Sequence, residues 1–297
     1  MRALLSAFAA ALVLLAALPG CAGSAPSLSA YGGLGTWVSI YGAEAYSNPT
    51  AVAAAIAARG VKTVYMQTGN YSQAGDIVRP DQLGAFVDAL HSEQLHVVAW
   101  YLPGFVRPAV DLRRSLAAIH FQTPGGGRFD GFALDIESAA VKRPALRTRR
   151  VIALSKRLRA EVGPGYALGA IIPAPRGMEQ VPAYWPNFPY APLAGIYNVI
   201  LPMVYWTFSV KGPDGSYGYL AWSLAILREA TGNPRMPIHL VGGTTDQAKL
   251  TEVRAFAQVV HDDGHLAGWS LFDWFATKAT AWPVLEGIAA PTSAATG

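Results

Sequence analysis

Residues 129–138 read Phe129-Asp130-Gly131-Phe132-Ala133-Leu134-Asp135-Ile136-Glu137-Ser138, an apolar run of strand type that ends in two carboxylates. Side chains of a strand alternate between faces, so Ala133, Asp135 and Glu137 share one face and Phe132, Leu134 and Ile136 the other. With a rise of about 3.3 Å per residue, the two acidic Cα atoms lie about 6.6 Å apart. A carboxylate taken out of water costs several kcal/mol unless it is paired. A structural alternative makes one acid the N-cap of a following helix and pairs the other with an arginine of the 142–150 region. It explains less, because a cap lies just outside a strand and Asp135 lies inside one. Chemistry at the end of the strand is the favoured explanation.

Outward from this stretch, short β-rich runs alternate with helical periodicity, the pattern of parallel strands joined by helical crossovers. Strands are predicted at Thr36–Tyr41, Thr63–Gln67, Val97–Leu102, Gly131–Ile136, Ala167–Ile172, Val199–Tyr205, Ile238–Val241 and Gly268–Phe272. Helices are predicted at Pro49–Arg59, Pro80–Glu93, Asp111–Phe121, Leu146–Val162, Tyr219–Ala230, Asp246–Val260 and Thr277–Ile288, several with proline at the start or glycine after the end. Eight such units specify a single α/β domain, a (β/α)8 TIM barrel. The fifth connection, Pro173–Gly195, carries too many prolines for a helix and is expected to be a long irregular loop. Its Tyr184, Trp185, Phe188 and Tyr190 make it a candidate substrate wall.

With the strands placed, Asp130, Gly131, Asp135 and Glu137 are similar to the strand-four signature of family 18 glycoside hydrolases, the chitinase and endo-N-acetylglucosaminidase class. Leu201-Pro-Met-Val-Tyr-Trp206 resembles that family's methionine and tyrosine strand, and Gly268-Trp-Ser-Leu-Phe-Asp-Trp274 its closing tryptophan strand. The resemblance implies that Glu137 protonates the glycosidic oxygen, that Asp135 orients the substrate's acetamido group as nucleophile, and that Tyr205 holds that group too. The chain departs from the family at Ala133, where an earlier acid normally stands, and at Trp100-Tyr-Leu-Pro-Gly104, where the family has a serine- and glycine-rich strand.

Independently of the resemblance, a glycosidase needs one carboxyl kept protonated near neutral pH and a second group that stabilises positive charge on the sugar. Two acids on one face raise the pKa of whichever ionises second, and burial adds to that, so Glu137 as acid with Asp135 as anion is self-consistent. Barrel sites lie at the C-terminal strand ends, which adds Tyr41, Gln67, Tyr101, Tyr205, Trp206, Asp273 and Trp274 as candidate substrate contacts, with Trp185 from the long loop. Aromatic faces among these suit sugar stacking. Asp273 is also a rival for a second catalytic carboxylate, against a helix N-cap as its structural role.

The ends of the chain point to export. Residues 1–20 hold one positive charge followed by an apolar run ending in small residues, as a signal peptide does, and Leu18-Pro-Gly-Cys21 resembles the bacterial lipoprotein box. The expected organisation is a leader at 1–20, a lipidated Cys21 with a tether at 21–30, the barrel at 31–290 and a disordered tail at 291–297. Cys21 is the only cysteine, which excludes an internal disulfide, so stability outside the cytoplasm must come from a large core. The net charge of +4 is too diffuse for a nucleic-acid footprint.

Other features read as structural. His261 and His265 have the i, i+4 spacing of a metal helix but precede strand eight, on the lower face, and Gly264 marks a helix end. Gly125-Gly-Gly-Arg128 and Val241-Gly-Gly-Thr-Thr245 lack the context of a nucleotide loop, so no cofactor and no metal is expected. The basic run from Lys142 to Arg159 is a solvated helix face, with attraction of an anionic glycan to the site as the alternative. Together these readings give an expected exported, lipid-anchored, monomeric glycoside hydrolase whose partners are a polysaccharide, with N-acetylhexosamine as a candidate component, and the membrane. A catalytically inactive glycan-binding barrel is the alternative, and Ala133 favours it.

Overall fold

The computed structural model describes residues 26–244 and 246–288 of the chain. The leader, Cys21 and the tail lie outside the described residues. Eight strands close a barrel in sequential order, all parallel: β1 Gly33–Val38, β2 Thr63–Asn70, β3 His96–Leu102, β4 Gly131–Asp135, β5 Leu168–Pro173, β6 Val199–Val204, β7 His239–Gly243 and β8 Gly268–Phe272. The predicted TIM barrel is therefore observed.

Around it run α1 Ala43–Ser47, α2 Pro49–Ala57, α3 Pro80–Ser92, α4 Pro108–Ile119, α5 Pro144–Val162, α6 Pro175–Gln180, α7 Tyr190–Ala194, α8 Gly212–Thr231, α9 Leu250–Asp263 and α10 Trp282–Glu286. Proline opens five of these (α2 to α6), where its missing N–H has no partner to lose. Glycines at positive φ end α5, α8 and α9: Gly163 at 74°, Gly232 at 64° and Gly264 at 63°. Three helix predictions shift: α8 begins at Gly212 rather than Tyr219, α9 at Leu250 rather than Asp246, and α10 is shorter than expected. Glu252 explains the α9 start, accepting from the Lys249 N–H at 3.0 Å and from the Gly212 N–H at 2.9 Å. The fifth connection is not helix-free. It holds α6 and α7, because its prolines sit at helix entries instead of interiors.

Strand alternation divides the core in two. Outward residues such as Phe132, Leu134 and Ile136 pack beneath the helices, while Trp37, Tyr65, Val98, Trp100, Ala133, Ile171, Leu201 and Val241 fill the barrel interior. The lower end is closed by Tyr31, the first residue of the expected barrel, which is wholly buried, as is Ala30 at the end of the expected tether. Its hydroxyl donates to the carbonyls of Phe132 at 2.9 Å and Ala167 at 3.2 Å. Glycines make room for it: a Cβ at Gly131 would lie 3.0 Å from the Tyr31 hydroxyl, and one at Gly169 would lie 2.9 Å from its ring. The prediction of β1 at Thr36–Tyr41 misses this, since Gly33 and Gly35 depress strand propensity yet pair with β8 at Gly268 and Ser270.

Candidate active site at the barrel mouth

The interior face of β4 presents Ala133 and then Asp135 at its C-terminal end, with Glu137 just beyond the strand, as the alternation predicts. Asp135 is only 4% exposed, and its Oδ1 has no hydrogen-bond partner among the described residues. Burial, then the neighbouring Glu137 charge, push its carboxyl well above the usual range. Glu137 is partly open to solvent and is also pushed up, by burial. Neither acid forms an ion pair with a described Lys, Arg or His; the basic residues that face other acids do so elsewhere.

Two phenols flank the pair. Tyr205, at the end of β6, is half-buried, and its hydroxyl is pushed far up by burial and then by the charges of Asp135, Glu137 and Asp273. Tyr184, from the β5 connection, donates its hydroxyl to the main-chain carbonyl of Glu137 and is pushed up to about 12 by burial and then by Glu137. Tyr205 meets Phe272 at 5.8 Å at the mouth, and from there a chain of rings runs down into the buried interior, to Trp37 a further 6.2 Å on and then Trp100 at 6.0 Å. Of these, Trp37, Trp100 and Phe272 were not among the predicted site residues, whereas Tyr184 belongs to the wall predicted from the fifth connection. The period-two pattern Gly33, Gly35, Trp37 was the signal available for Trp37.

The structure brings Asp135, Glu137 and Tyr205 together and disperses most of the predicted contacts. Trp206 is fully buried outside the barrel, stacked on Phe256 at 5.7 Å. Tyr101 is also fully buried and points outward, donating to Asp111 Oδ1 at 2.9 Å. Both are the outward neighbours of inward positions, so each falls on the wrong face for a substrate. Trp185 is 2% exposed, its indole N–H donating to Thr148 Oγ1 at 2.9 Å, and is no wall for a ligand. Trp274 turns outward against Trp282 at 5.1 Å. Gln67 is buried in the interior and spends its Oε1 on the Ile40 N–H at 3.1 Å. Tyr41 is exposed on the loop after β1, with its hydroxyl 3.5 Å from Asn70 Nδ2.

Asp273 closes a turn rather than capping a helix: its Oδ1 accepts the Ala276 N–H at 2.9 Å, while α10 begins only after its N-cap Ala281, and burial pushes its carboxyl up. Asp130 lies at the opposite end of β4, tied to the Val97 N–H at 2.7 Å and His91 Nε2 at 3.1 Å. The basic run is in part structural. Arg147 is buried, its guanidinium 4.0 Å from the Trp185 ring centroid and donating to the Tyr184 carbonyl, so it fastens the connection that carries Tyr184. Arg159 likewise binds the carbonyls of Ile196, Gly163 and Tyr166. His261 pairs with Asp262 at 3.1 Å, and no group of three or more metal-ligating side chains occurs among the described residues. Thr245 of the β7 glycine loop lies outside the described residues. No helix of the described residues is long and apolar enough to cross a membrane.

No protein-family model and no curated protein matches this sequence. Solved structures match its fold. The endo-β-1,4-mannanase from Thermotoga petrophila superposes with a TM-score of 0.64 at 10% identity, over 86% of this chain and 76% of that one. The spore cortex-lytic enzyme SleL from Bacillus cereus gives 0.64 at 9% identity, over 87% and 74%. A chitinase from Chromobacterium violaceum gives 0.58 at 13% identity, over 86% of this chain and 98% of its own. At these identities, what this chain has in common with those barrels is their fold.

Proposed function

We propose that this protein is a glycoside hydrolase, exported and held at a membrane through a lipidated Cys21, that cleaves a polysaccharide with Glu137 as general acid. The observation that carries the reading is the unneutralised pair at the C-terminal end of β4, with Asp135 buried and Glu137 facing the mouth. Burial shifts Glu137 toward its protonated form, the state needed to deliver a proton to a glycosidic oxygen. Asp135, on the same face and itself pushed up by burial, becomes the anion only as positive charge grows on the sugar beside it. Tyr205 reaches the same space with a phenol held neutral, a hydrogen-bond donor for the substrate at any physiological pH. The solved barrels of similar fold include proteins described as mannanases, a chitinase and a spore cortex-lytic enzyme, which supports a glycan as substrate.

A second reading, a catalytically inactive glycan-binding barrel, draws on Ala133. That residue lies beside Trp100 in the β3–β4 register, and both are buried, so no third acid supports Asp135 from below. Assay of the purified protein on mannan, chitin oligomers, peptidoglycan and aryl glycosides separates the two. Cleavage abolished by Glu137→Gln supports hydrolysis, and glycan binding without any cleavage supports the inactive barrel.

A further inference from the structure

Four features of the mouth belong together. Two carboxyl groups stand there without a counter-cation among the described residues, although the chain carries 23 lysines and arginines. One oxygen of the more deeply buried acid, Asp135 Oδ1, has no hydrogen-bond partner. Above the buried Trp37 and Trp100, the half-buried rings of Tyr205 and Phe272 stand 5.8 Å apart at the mouth. Tyr184 closes the side toward the β5 connection. Buried carboxylates are ordinarily matched by a guanidinium or ammonium from the protein itself, and this site omits one. Aromatic faces with an adjacent unmatched carboxylate are the recognition chemistry of an ammonium group, which gains both from the ring quadrupoles and from the charge.

We propose that the substrate of this site is a glycan whose bound residue carries a free, positively charged amino group, a non-acylated hexosamine, with its ammonium held by the Asp135 carboxyl. This rests on the glycosidase reading for the cleavage step and not for the binding step. The ligand supplies the missing counter-charge. In the free protein the two acids hold protons that burial favours; an ammonium beside Asp135 makes its ionised form affordable, and Asp135 releases a proton to solvent on binding. Glu137, farther out and without the cation, keeps its own proton for the leaving oxygen. Acetylation of the amine removes the charge and adds bulk against the rings.

The test is calorimetric titration of the purified protein with three tetrasaccharides, of glucosamine, of N-acetylglucosamine and of mannose, in buffers of different ionisation enthalpy. The expected result is at least tenfold tighter binding of the glucosamine tetramer than of either other, with proton release in that titration alone, and a preference reduced to twofold or less in Asp135→Asn. Equal or tighter binding of the acetylated or neutral tetramer, absence of binding by any of the three, or absence of proton release overturns the proposal. Should Asp135→Asn fail to fold, the proton release of the unaltered protein decides alone. Cleavage is read separately on the same oligomers: preferential binding without cleavage overturns the hydrolase reading and leaves this one standing, whereas cleavage without amine preference does the reverse.

Discussion

The two ends of the barrel interior solve the problem of buried polar groups in opposite ways. At the lower end, Trp37 Nε1 donates to Ser270 Oγ at 2.8 Å, Ser270 meets His239 Nε2 at 2.9 Å, and His239 Nδ1 lies 3.0 Å from the Tyr65 hydroxyl and 2.9 Å from the Tyr31 carbonyl. The polar groups of that cluster satisfy one another, and the cluster locks β1, β2, β7 and β8 to the plug residue Tyr31. At the mouth, among the described residues, Asp135 Oδ1 is left unmatched and Glu137 has no cation. Orphaned buried atoms occur elsewhere among the described residues too, Thr63 Oγ1 at the lower end among them, but only at the mouth, the face where such barrels place their sites, is the orphan an acid beside a second acid.

The same contrast sets opposite responses to pH. His239 is buried neutral, its pKa pushed down to about 4 by burial, so the unfolded chain binds more protons than the folded one between about 4 and the ordinary 6.5. Its contribution is full above that window and is lost as pH falls through it, by about 3 kcal/mol in all. Asp135 is pushed up, so the folded protein binds more protons than the unfolded chain above the ordinary carboxylate range. Its contribution is present at low pH and is lost as pH rises toward the folded value.

The sharpest way to break the comparison is Glu137→Gln, which is expected to lower the cleavage rate by about 10² to 10⁴-fold in a steady-state assay, with no loss of thermal stability. At the other end, Tyr31→Ala removes the plug and two buried hydrogen bonds. It is expected to lower the unfolding free energy by about 3–5 kcal/mol in denaturant titration, with binding at the mouth affected only through that loss. Removing the titratable imidazole by His239→Gln should flatten the acid side of the stability profile between pH 4 and 6.5, where the unaltered protein declines by about 3 kcal/mol. Asp135→Asn should act in the opposite sense, flattening the fall in stability above pH 5 and leaving the acid side as it was. A Tm that drops with this substitution at pH 8 would contradict the unmatched-charge account. The smallest effect is Tyr41→Ala, at 72% exposure, expected to change stability by less than about 0.5 kcal/mol, with any change in saccharide affinity read separately.

What was legible differs by kind of residue. The alternation at Phe132–Glu137 placed Asp135 and Glu137 on the interior face correctly, and Tyr205 followed from its position at the end of β6. Tyr101 and Trp206 were chosen by closeness to a strand end alone, and each stands one residue from an inward position, so the pleat turned both away. Arg147 could not be told from its solvated neighbours in the basic run, because its burial depends on Trp185 arriving from a connection some 37 residues away in sequence.

Composition and periodicity by themselves determined that this chain is a parallel barrel with eight strand-helix repeats and two acids at one strand end, since those properties depend on spacing within short segments. Only the tertiary structure decided that the acids stand without a cation among the described residues, that Tyr184 reaches Glu137, and that Tyr31 closes the far end. Each of these is a meeting of segments distant in sequence, and the energy of a buried charge is set by what surrounds it in space, which no local pattern records.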